Sequence, residues 1–145
     1  MKTLIVLRHG HYTGTELTKM GREQVQSAIE RLLPFVNGKS VRMFASPSKR
    51  TEQSAEIVGQ RLGIPFQLDE AIRDRYDDMT RDVGALLARE QDSAEVLILV
   101  THQDYLQNLA GLFIEGYFHT NDIDRSIPFA GIAVIDVDQK SVQFL

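Results

Sequence analysis

The 145-residue sequence contains no cysteine, no tryptophan and only four prolines. Without cysteine, the chain can have no disulfide framework, no zinc or iron–sulfur site held by thiolates, and no cysteine nucleophile. Any covalent catalysis must therefore use another side chain.

Long apolar runs and an excess of positive charge are missing as well. The longest apolar runs, residues 4–7 and 96–100, are far shorter than the ~20 residues that cross a bilayer. The N-terminus also lacks the pattern of a signal peptide, so we expect a soluble, cytoplasmic protein. The formal net charge of −4 disfavours binding to nucleic acid, which needs a basic surface. An anionic substrate would have to be bound by a few local arginines.

Strand and helix patterns alternate along the chain. Residues 4–7 and 96–100 are continuously apolar, as in parallel strands covered on both faces, and residues 41–45 are a weaker third candidate. Apolar residues recur at helical spacing in four segments: 21–32, 51–62, 83–89 and 106–113. We expect the first of these helices to end at Pro34, the second at Gly63 and the last at Gly116.

The end of the chain has a different pattern. Residues 131–137 and 141–145 flank a short polar turn and predict an antiparallel hairpin at the edge of the sheet. Together with the alternation before it, this order predicts an α/β fold of three layers, in which helices flank a mostly parallel sheet. Because the sequence shows no linker, internal repeat or low-complexity tract, we expect residues 1–145 to form a single domain.

Unusual polar residues follow each of the three predicted parallel strands. Ligands of open α/β sheets bind beyond the carboxyl ends of the strands, so these residues are expected to converge on one rim. The first strand is followed by Arg8-His9-Gly10, the second by Ser46-Pro47 and then Arg50, and the third ends in Thr101-His102.

Two arginines and two histidines can bind and transfer a phosphoryl group. Guanidinium groups bind phosphate oxygens in pairs, and a helix that starts near Ser48, its plausible N-cap, would add backbone N–H groups and its dipole. A neutral imidazole can attack phosphorus, while a protonated one can donate to the transferring oxygens. Gly10 would leave room for a phosphoryl group on His9, and its backbone can bond the second ring nitrogen.

These residues resemble the motifs of the histidine phosphatase superfamily, also called the phosphoglycerate mutase-like fold. The matching blocks are Leu7-Arg8-His9-Gly10, residues 17–24, residues 46–55 and Val100-Thr101-His102. The resemblance implies a phosphotransfer enzyme that needs no metal or other cofactor. It further implies that His9 is the nucleophile that forms a phosphohistidine, and that Arg8, Arg50 and His102 bind the phosphoryl group.

The resemblance also implies an acidic proton donor shortly after the second helix. In the segment 68–74, Asp74 is the first candidate and Glu70 the second. Asp104 ranks lower, because its side chain, two residues after His102 at the start of a helix, is expected to point elsewhere. His11 is a candidate for lining the entrance of the pocket.

The segment 69–82 carries charges of both signs. Its arginines could reach a second anionic part of a substrate, but we expect Arg73, Arg75 and Arg81 to pair with nearby acidic residues instead.

The short chain looks most similar to the compact phosphohistidine-phosphatase-like branch of this superfamily. The expected substrate is a phosphomonoester or a phosphohistidine, carried by a phosphorylated small molecule or a phosphorylated protein. Three alternatives remain open: a phosphotransferase like the mutases, a metal-dependent hydrolase using His9 and His11, and a noncatalytic phosphate-binding module. The positive charge of Arg8 disfavours the metal site.

Overall fold

The computed structural model describes residues 1–75, 77, 79–115 and 127–145, with the backbone alone for residues 110–115. Within these residues, the main sheet consists of the strands β1 (Thr3–Arg8), β4 (Val41–Ala45), β5 (Gln67–Leu68), β6 (Val96–Thr101), β7 (Ile132–Asp136) and β8 (Ser141–Phe144). A small separate ribbon pairs β2 (Tyr12–Thr13) with β3 (Glu16–Leu17). The helices are α1 (Lys19–Val36), α2 (Lys49–Leu62), α3 (Thr80–Glu90) and α4 (Gln103–Glu115).

The sheet has the strand order β5-β4-β6-β1-β7-β8. The strands β5, β4, β6 and β1 are parallel, whereas β7 runs antiparallel to β1 and pairs with β8 at the edge. The predicted mostly parallel sheet and its C-terminal hairpin are therefore confirmed. The three strands predicted from apolar runs are direct neighbours, so their carboxyl ends lie side by side.

Helices cover both faces of the sheet, which explains the continuous apolar runs. In β1, Ile5 and Leu7 pack in a cluster with residues of α1 and α2. Leu4 and Val6 point to the opposite face and pack with residues of α3 and α4. Since successive side chains of a strand alternate between faces, a strand buried on both sides has no polar positions. The predicted three-layer architecture is confirmed. None of the helices in the described ranges combines the length and apolar character needed to span a membrane.

The ends of the helices differ in part from the predictions. Pro34 does not end α1, which continues to Val36. A proline in the last turn removes one backbone hydrogen bond, and the burial of Leu32 and Val36 compensates for it. The end of α2 at Gly63, whose φ is 69°, is as predicted. The predicted end of α4 at Gly116 lies outside the described residues.

Ser48 occupies the N-cap position of α2 but does not cap the helix with its side chain. The hydroxyl of Thr51 donates to the carbonyl oxygen of Ser46 at 2.5 Å, and Ser48 Oγ lies 2.6 Å from Thr51 Oγ1. The Thr51 hydrogen is used by the carbonyl, so Ser48 is the donor of the second bond. The predicted start of α2 with Ser48 at the N-cap is confirmed, but the predicted side-chain cap is wrong, because the Ser48 hydroxyl is turned to Thr51 Oγ1.

Candidate active site

The carboxyl ends of β1, β4 and β6 bring distant polar residues together. The backbone N–H of His9 donates to the Thr101 carbonyl at 3.1 Å, and that of Ser46 donates to the Val100 carbonyl at 3.0 Å. These bonds extend the sheet by one residue beyond two strands and leave His102 beside His9. The two imidazole rings lie 5.5 Å apart between centroids.

His9 is held with one ring nitrogen turned into the site. The residue is only 3% exposed, and its Nδ1 lies 2.9 Å from the Gly10 carbonyl, to which it must donate. Nε2 is then unprotonated in the neutral ring and accepts a hydrogen bond from Arg50 Nε at 3.3 Å. Burial and the neighbouring positive charges lower the pKa of His9 to about 4, so the ring is neutral at pH 7. The Nε2 lone pair thus faces a guanidinium group.

His102 is also bonded through both ring nitrogens, but here Nδ1 and not Nε2 faces Arg50. Its Nε2 lies 2.8 Å from Ser46 Oγ, and its Nδ1 lies 3.4 Å from Arg50 Nη2. Burial is the main cause that lowers the pKa of His102 to about 4; Arg50 and Arg8 lower it further, whereas Asp74 opposes the shift. His102 is therefore neutral at pH 7 in the protein alone. A dianion bound near Nδ1 would raise its pKa, so the predicted protonation of the second imidazole depends on the bound anion.

Arg50 lies at the centre of the site. It extends from the first turn of α2, and its guanidinium contacts His9, His102 and the carboxylate of Asp74. The Tyr12 ring backs the guanidinium, with Cζ 4.7 Å from the ring centroid. Arg50 is thus the side chain that joins the three predicted site residues.

Arg8 approaches from the other side and is backed by Phe129. Its Nη1 donates to the Ile127 carbonyl at 2.5 Å, and its Cζ lies 4.1 Å from the Phe129 ring centroid. Its Nε is buried and has no hydrogen-bond partner among the described residues. Burial lowers the pKa of Arg8. This leaves a desolvated N–H donor next to the two histidines.

Of the three candidate proton donors, Asp74 lies at the site. Its Oδ2 accepts a hydrogen bond from Arg50 Nη2 at 3.0 Å, and its side chain is 49% exposed. In the described part of the chain, the exposed carboxylate of Glu70 makes no hydrogen bond to His9, Arg50 or His102. Asp104 is exposed on the first turn of α4, where its charge raises the pKa of Arg8 against the effect of burial.

His11 is bound to the start of α1 rather than paired with His9. Its backbone N–H donates to Gln24 Oε1 at 2.9 Å, and its Nδ1 lies 2.9 Å from Thr18 Oγ1. The ring packs edge-on against Phe129, with 5.3 Å between centroids. His11 therefore packs against Phe129, which also contacts the His9 ring, and its Nδ1 is bonded to Thr18.

Gly10 is required because it touches the first turn of α1. A Cβ on Gly10 would overlap the carbonyl oxygen of Gly21, and a Cβ on Gly21 would overlap the carbonyl of His11. The two glycines allow the loop after β1 to cross the first turn of α1 at backbone contact. The predicted bond between the Gly10 backbone and the His9 ring is present, and the room that Gly10 leaves for a phosphoryl group stays a prediction.

Arginines of the neighbouring segment pair with acidic residues. Arg75 contacts Asp77 and Asp82, each at 2.6 Å, and Arg73 lies 3.7 Å from Asp82. The predicted pairing is confirmed for these two arginines.

Sequence reasoning gave no role to Tyr12, Phe129 or the hydroxyl of Ser46. Tyr12 follows the Arg-His-Gly motif closely, and its aromatic character was an available signal. No local pattern marks Phe129, because its contacts with Arg8 and His9 are made only after β7 has paired with β1.

The chain matches the model of the histidine phosphatase superfamily (branch 1) over residues 4–90. It belongs to this superfamily, as its motifs predicted.

Solved structures of several phosphatases have the same fold. One is a mycobacterial glucosyl-3-phosphoglycerate phosphatase in complex with VO3, with a TM-score of 0.77, 16% identity and coverage of 100% of this chain and 97% of that chain. Another is the alpha-ribazole phosphatase from Shigella flexneri, with a TM-score of 0.75, 18% identity and coverage of 99% and 94%. A third is the protein histidine phosphatase SixA in complex with tungstate, with a TM-score of 0.73, 19% identity and coverage of 99% and 94%. Among curated protein sequences, none matches this chain.

Proposed function

We propose that the protein is a metal-independent phosphatase that hydrolyses a phosphomonoester or a phosphohistidine through a phosphohistidine intermediate on His9. The observation that carries the proposal is the orientation of the His9 ring. Its Nδ1 is bonded to the Gly10 carbonyl, and its Nε2 lone pair faces Arg50. A nucleophilic nitrogen oriented in this way, beside groups that bind an anion, is suited to attack phosphorus.

The phosphoryl group would be bound by Arg50, the free N–H groups of Arg8 and His102. Arg50 Nε lies 3.3 Å from His9 Nε2, and the His102 ring lies 5.5 Å from the His9 ring between centroids. These donors would neutralise the charge of the transferring oxygens, as metal ions do in other phosphotransferases. An oxygen of the substrate would also satisfy the buried Nε of Arg8. The exposure of Asp74 leaves its carboxylate accessible to a leaving group.

The reaction would proceed in two steps. In the first, His9 Nε2 bonds to phosphorus as the bond to the leaving group breaks, and protonated Asp74 gives its proton to the departing oxygen or nitrogen. In the second, Asp74 accepts a proton from water as the water oxygen attacks phosphorus, and the bond to Nε2 breaks. Inorganic phosphate is released, and both side chains return to their initial states.

The charges at the site favour this function over the metal-dependent alternative. Arg8 and Arg50 both face the space next to His9 and would repel a divalent cation. His11 Nδ1 is bonded to Thr18, and His9 Nδ1 to Gly10. Within the described residues, no group of three or more potential metal-ligating side chains is found.

The substrate is proposed only as a class. The similar structures include phosphatases named for a glucosyl phosphoglycerate, a ribazole and protein histidine, so one fold serves both small molecules and proteins. A panel of sugar phosphates, phosphoglycerates, nucleotides and a phosphohistidine protein would identify the substrate. The cytoplasmic location and the single-domain organisation stay predictions.

The test is to trap the intermediate. Mixing the enzyme with a substrate labelled in the phosphoryl group and quenching it should leave an acid-labile, base-stable label on His9. We expect His9→Ala to remove the label and to lower turnover by on the order of 10⁴-fold, because the nucleophile is lost.

His11→Ala is the matched control and should retain both the label and turnover. If His9→Ala keeps turnover, the mechanism is wrong. If chelators and both histidine variants abolish activity and no label forms, the metal-dependent alternative is favoured. If no phosphorylated compound is hydrolysed, even an activated aryl phosphate, the protein is a phosphate-binding module.

A further inference from the structure

Two hydroxyl groups that flank His102 hold the segment preceding Asp74. Thr101 Oγ1 donates to the Ile72 carbonyl at 2.8 Å. Tyr105, on the first turn of α4, donates from its hydroxyl to the Arg73 carbonyl at 2.6 Å. Both residues are almost completely buried, with exposures of 0% and 1%.

The bond from Tyr105 acts on the peptide group that Asp74 shares. The Arg73 carbonyl belongs to the peptide unit that joins Arg73 to Asp74, and a peptide unit is planar. Fixing this carbonyl therefore also fixes the position of the Asp74 backbone nitrogen. Arg73 already has an extended backbone, with ψ of 160°, and lies beyond the 3₁₀ turn Glu70–Ile72. The Arg73 N–H donates to the Glu70 carbonyl at 3.2 Å and closes the turn, whereas the Arg73 carbonyl, on the side of Asp74, accepts the Tyr105 hydroxyl. Tyr105 therefore supplies the constraint on the peptide that leads into Asp74.

We propose that Tyr105 is a positioning residue that orients Asp74 toward the leaving group. This inference rests on the proposed role of Asp74 as the proton donor. Tyr105 does not touch the phosphoryl group; it connects the helix that follows His102 to the backbone that carries the acid. In the proposed reaction, His102 acts on the phosphoryl oxygens and Asp74 acts on the leaving group of the same substrate. The bond from Tyr105 fixes the position of one relative to the other.

Burial supports this role, because it raises the pKa of the Tyr105 hydroxyl. The hydroxyl remains protonated, and hence a hydrogen-bond donor, over the whole pH range in which the enzyme would work. The hydroxyl also lies 3.4 Å from the Ala71 carbonyl, but its contact with the Arg73 carbonyl, at 2.6 Å, is the shorter of the two.

The test uses Tyr105→Phe, which removes the hydroxyl and retains the ring, and two substrates that differ in the need for an acid. An alkyl phosphate requires a proton on its leaving group, whereas 2,4-dinitrophenyl phosphate scarcely does. We expect kcat/KM for the alkyl phosphate to fall by roughly 10-fold and that for the activated ester to change by less than about 2-fold. Inhibition by vanadate should be unchanged, because the phosphate-binding groups stay in place.

Asp74→Asn in single and double variants separates this inference from the function on which it rests. Asp74→Asn should also lower kcat/KM mainly for the alkyl phosphate, and by more than Tyr105→Phe does. Adding Tyr105→Phe to Asp74→Asn should cause no further loss of kcat/KM. An equal loss on both substrates in Tyr105→Phe, or a further loss in the double variant, would overturn the positioning role alone. If Asp74→Asn affects both substrates equally, the proposed proton donor is wrong, and the role of Tyr105 fails with it.

Two further variants complete the design. Ser93→Ala removes another hydroxyl that donates to a backbone carbonyl, that of Glu90 at 2.8 Å, and should leave both substrates unaffected. Thr101→Val removes the bond to the neighbouring Ile72 carbonyl and should reproduce the selectivity of Tyr105→Phe. Thr101→Val also tests the inference if Tyr105→Phe is not recovered as a folded protein. In that case, an equal loss of kcat/KM on both substrates in Thr101→Val, with unchanged vanadate inhibition, would contradict the positioning role.

Discussion

Each arginine of the candidate site lies against an aromatic ring. Arg50 is backed by Tyr12 and Arg8 by Phe129, with distances of 4.7 Å and 4.1 Å from Cζ to the ring centroid. The same two rings pack around His9. A stacked guanidinium loses rotational freedom before it binds an anion, so the ordering cost is paid during folding rather than in binding. The rings thereby hold the two guanidinium groups in place for the proposed binding of a phosphoryl group.

Replacing Phe129 should weaken anion binding. Phe129→Leu removes the ring under Arg8, and a cation–π contact is worth about 0.5–2 kcal/mol. We therefore expect the inhibition constant of vanadate to rise by roughly 2- to 30-fold, measured by competition against an aryl phosphate. Phe35→Leu, on the far end of α1, is the control and should leave this constant unchanged. An unaltered constant in Phe129→Leu would show that the ring does not orient Arg8.

At the scale of elements, the site depends on how closely the loop after β1 approaches α1. Gly10 and Gly21 meet at backbone contact, and the Thr18 side chain accepts a hydrogen bond from the Gly21 N–H at 3.0 Å at the start of the helix. His9 and His11 lie on either side of this crossing. The position of His9, the proposed nucleophile, is therefore set partly by the first turn of α1.

A methyl group at this crossing should disturb both stability and activity. Gly21→Ala would force the loop away from α1, and overpacking of this kind costs about 1–3 kcal/mol of the free energy of unfolding. We also expect activity to fall, because the displaced loop carries His9. Gly84→Ala in α3 is the matched control, since a Cβ there meets no atom within 4 Å. It should raise stability by about 0.5–1 kcal/mol. Urea unfolding measures the free energy of unfolding of both variants. An equal change in this free energy in Gly21→Ala and Gly84→Ala would contradict the packing argument.

At the scale of the whole molecule, folding buries two neutral imidazoles. The pKa values of His9 and His102 are lowered to about 4 by burial and by the adjacent positive charges. In the unfolded chain both rings have an ordinary pKa of ~6.5 and bind protons more readily. The stability that depends on these rings is therefore fully present above pH ~6.5 and is lost as the pH falls toward 4.

The free energy of unfolding should accordingly fall between pH 7 and pH 5. Each histidine contributes a loss of up to about 2 kcal/mol at pH 5, as follows from the two pKa values. His102→Gln should make the pH dependence about half as steep, measured by urea unfolding at several pH values. A slope that is identical in the wild-type protein and in this variant would show that His102 is not buried in its neutral form. Saturating vanadate should reduce the slope, since the bound anion favours protonated His102.

Local patterns in the sequence predicted the layers of the fold and most residues of the candidate site. The apolar runs 4–7 and 96–100 indicate strands that are buried on both faces. The polar residues directly after these runs lie at the sheet edge where ligands of open α/β sheets bind. His9, His102, Arg8 and Arg50 could be identified because each lies next to the end of a regular element. The predicted end of α1 at Pro34 and the predicted side-chain cap by Ser48 were wrong, because the packing of α1 and the hydroxyl of Thr51 override the local preferences of these residues.

The amino-acid sequence alone determined the order of strands and helices, the buried faces, and the residue types available for phosphoryl chemistry, since these depend on neighbours within a few positions. Tertiary structure decided which groups meet: Asp74 with Arg50, Phe129 with Arg8, and Tyr105 with the Arg73 carbonyl. Such contacts depend on strand order, which places β7 beside β1 and joins residues as far apart as Arg8 and Ile127. The reason is physical: periodicity reports whether a side chain is buried, whereas its partner is chosen by the packing of the whole chain.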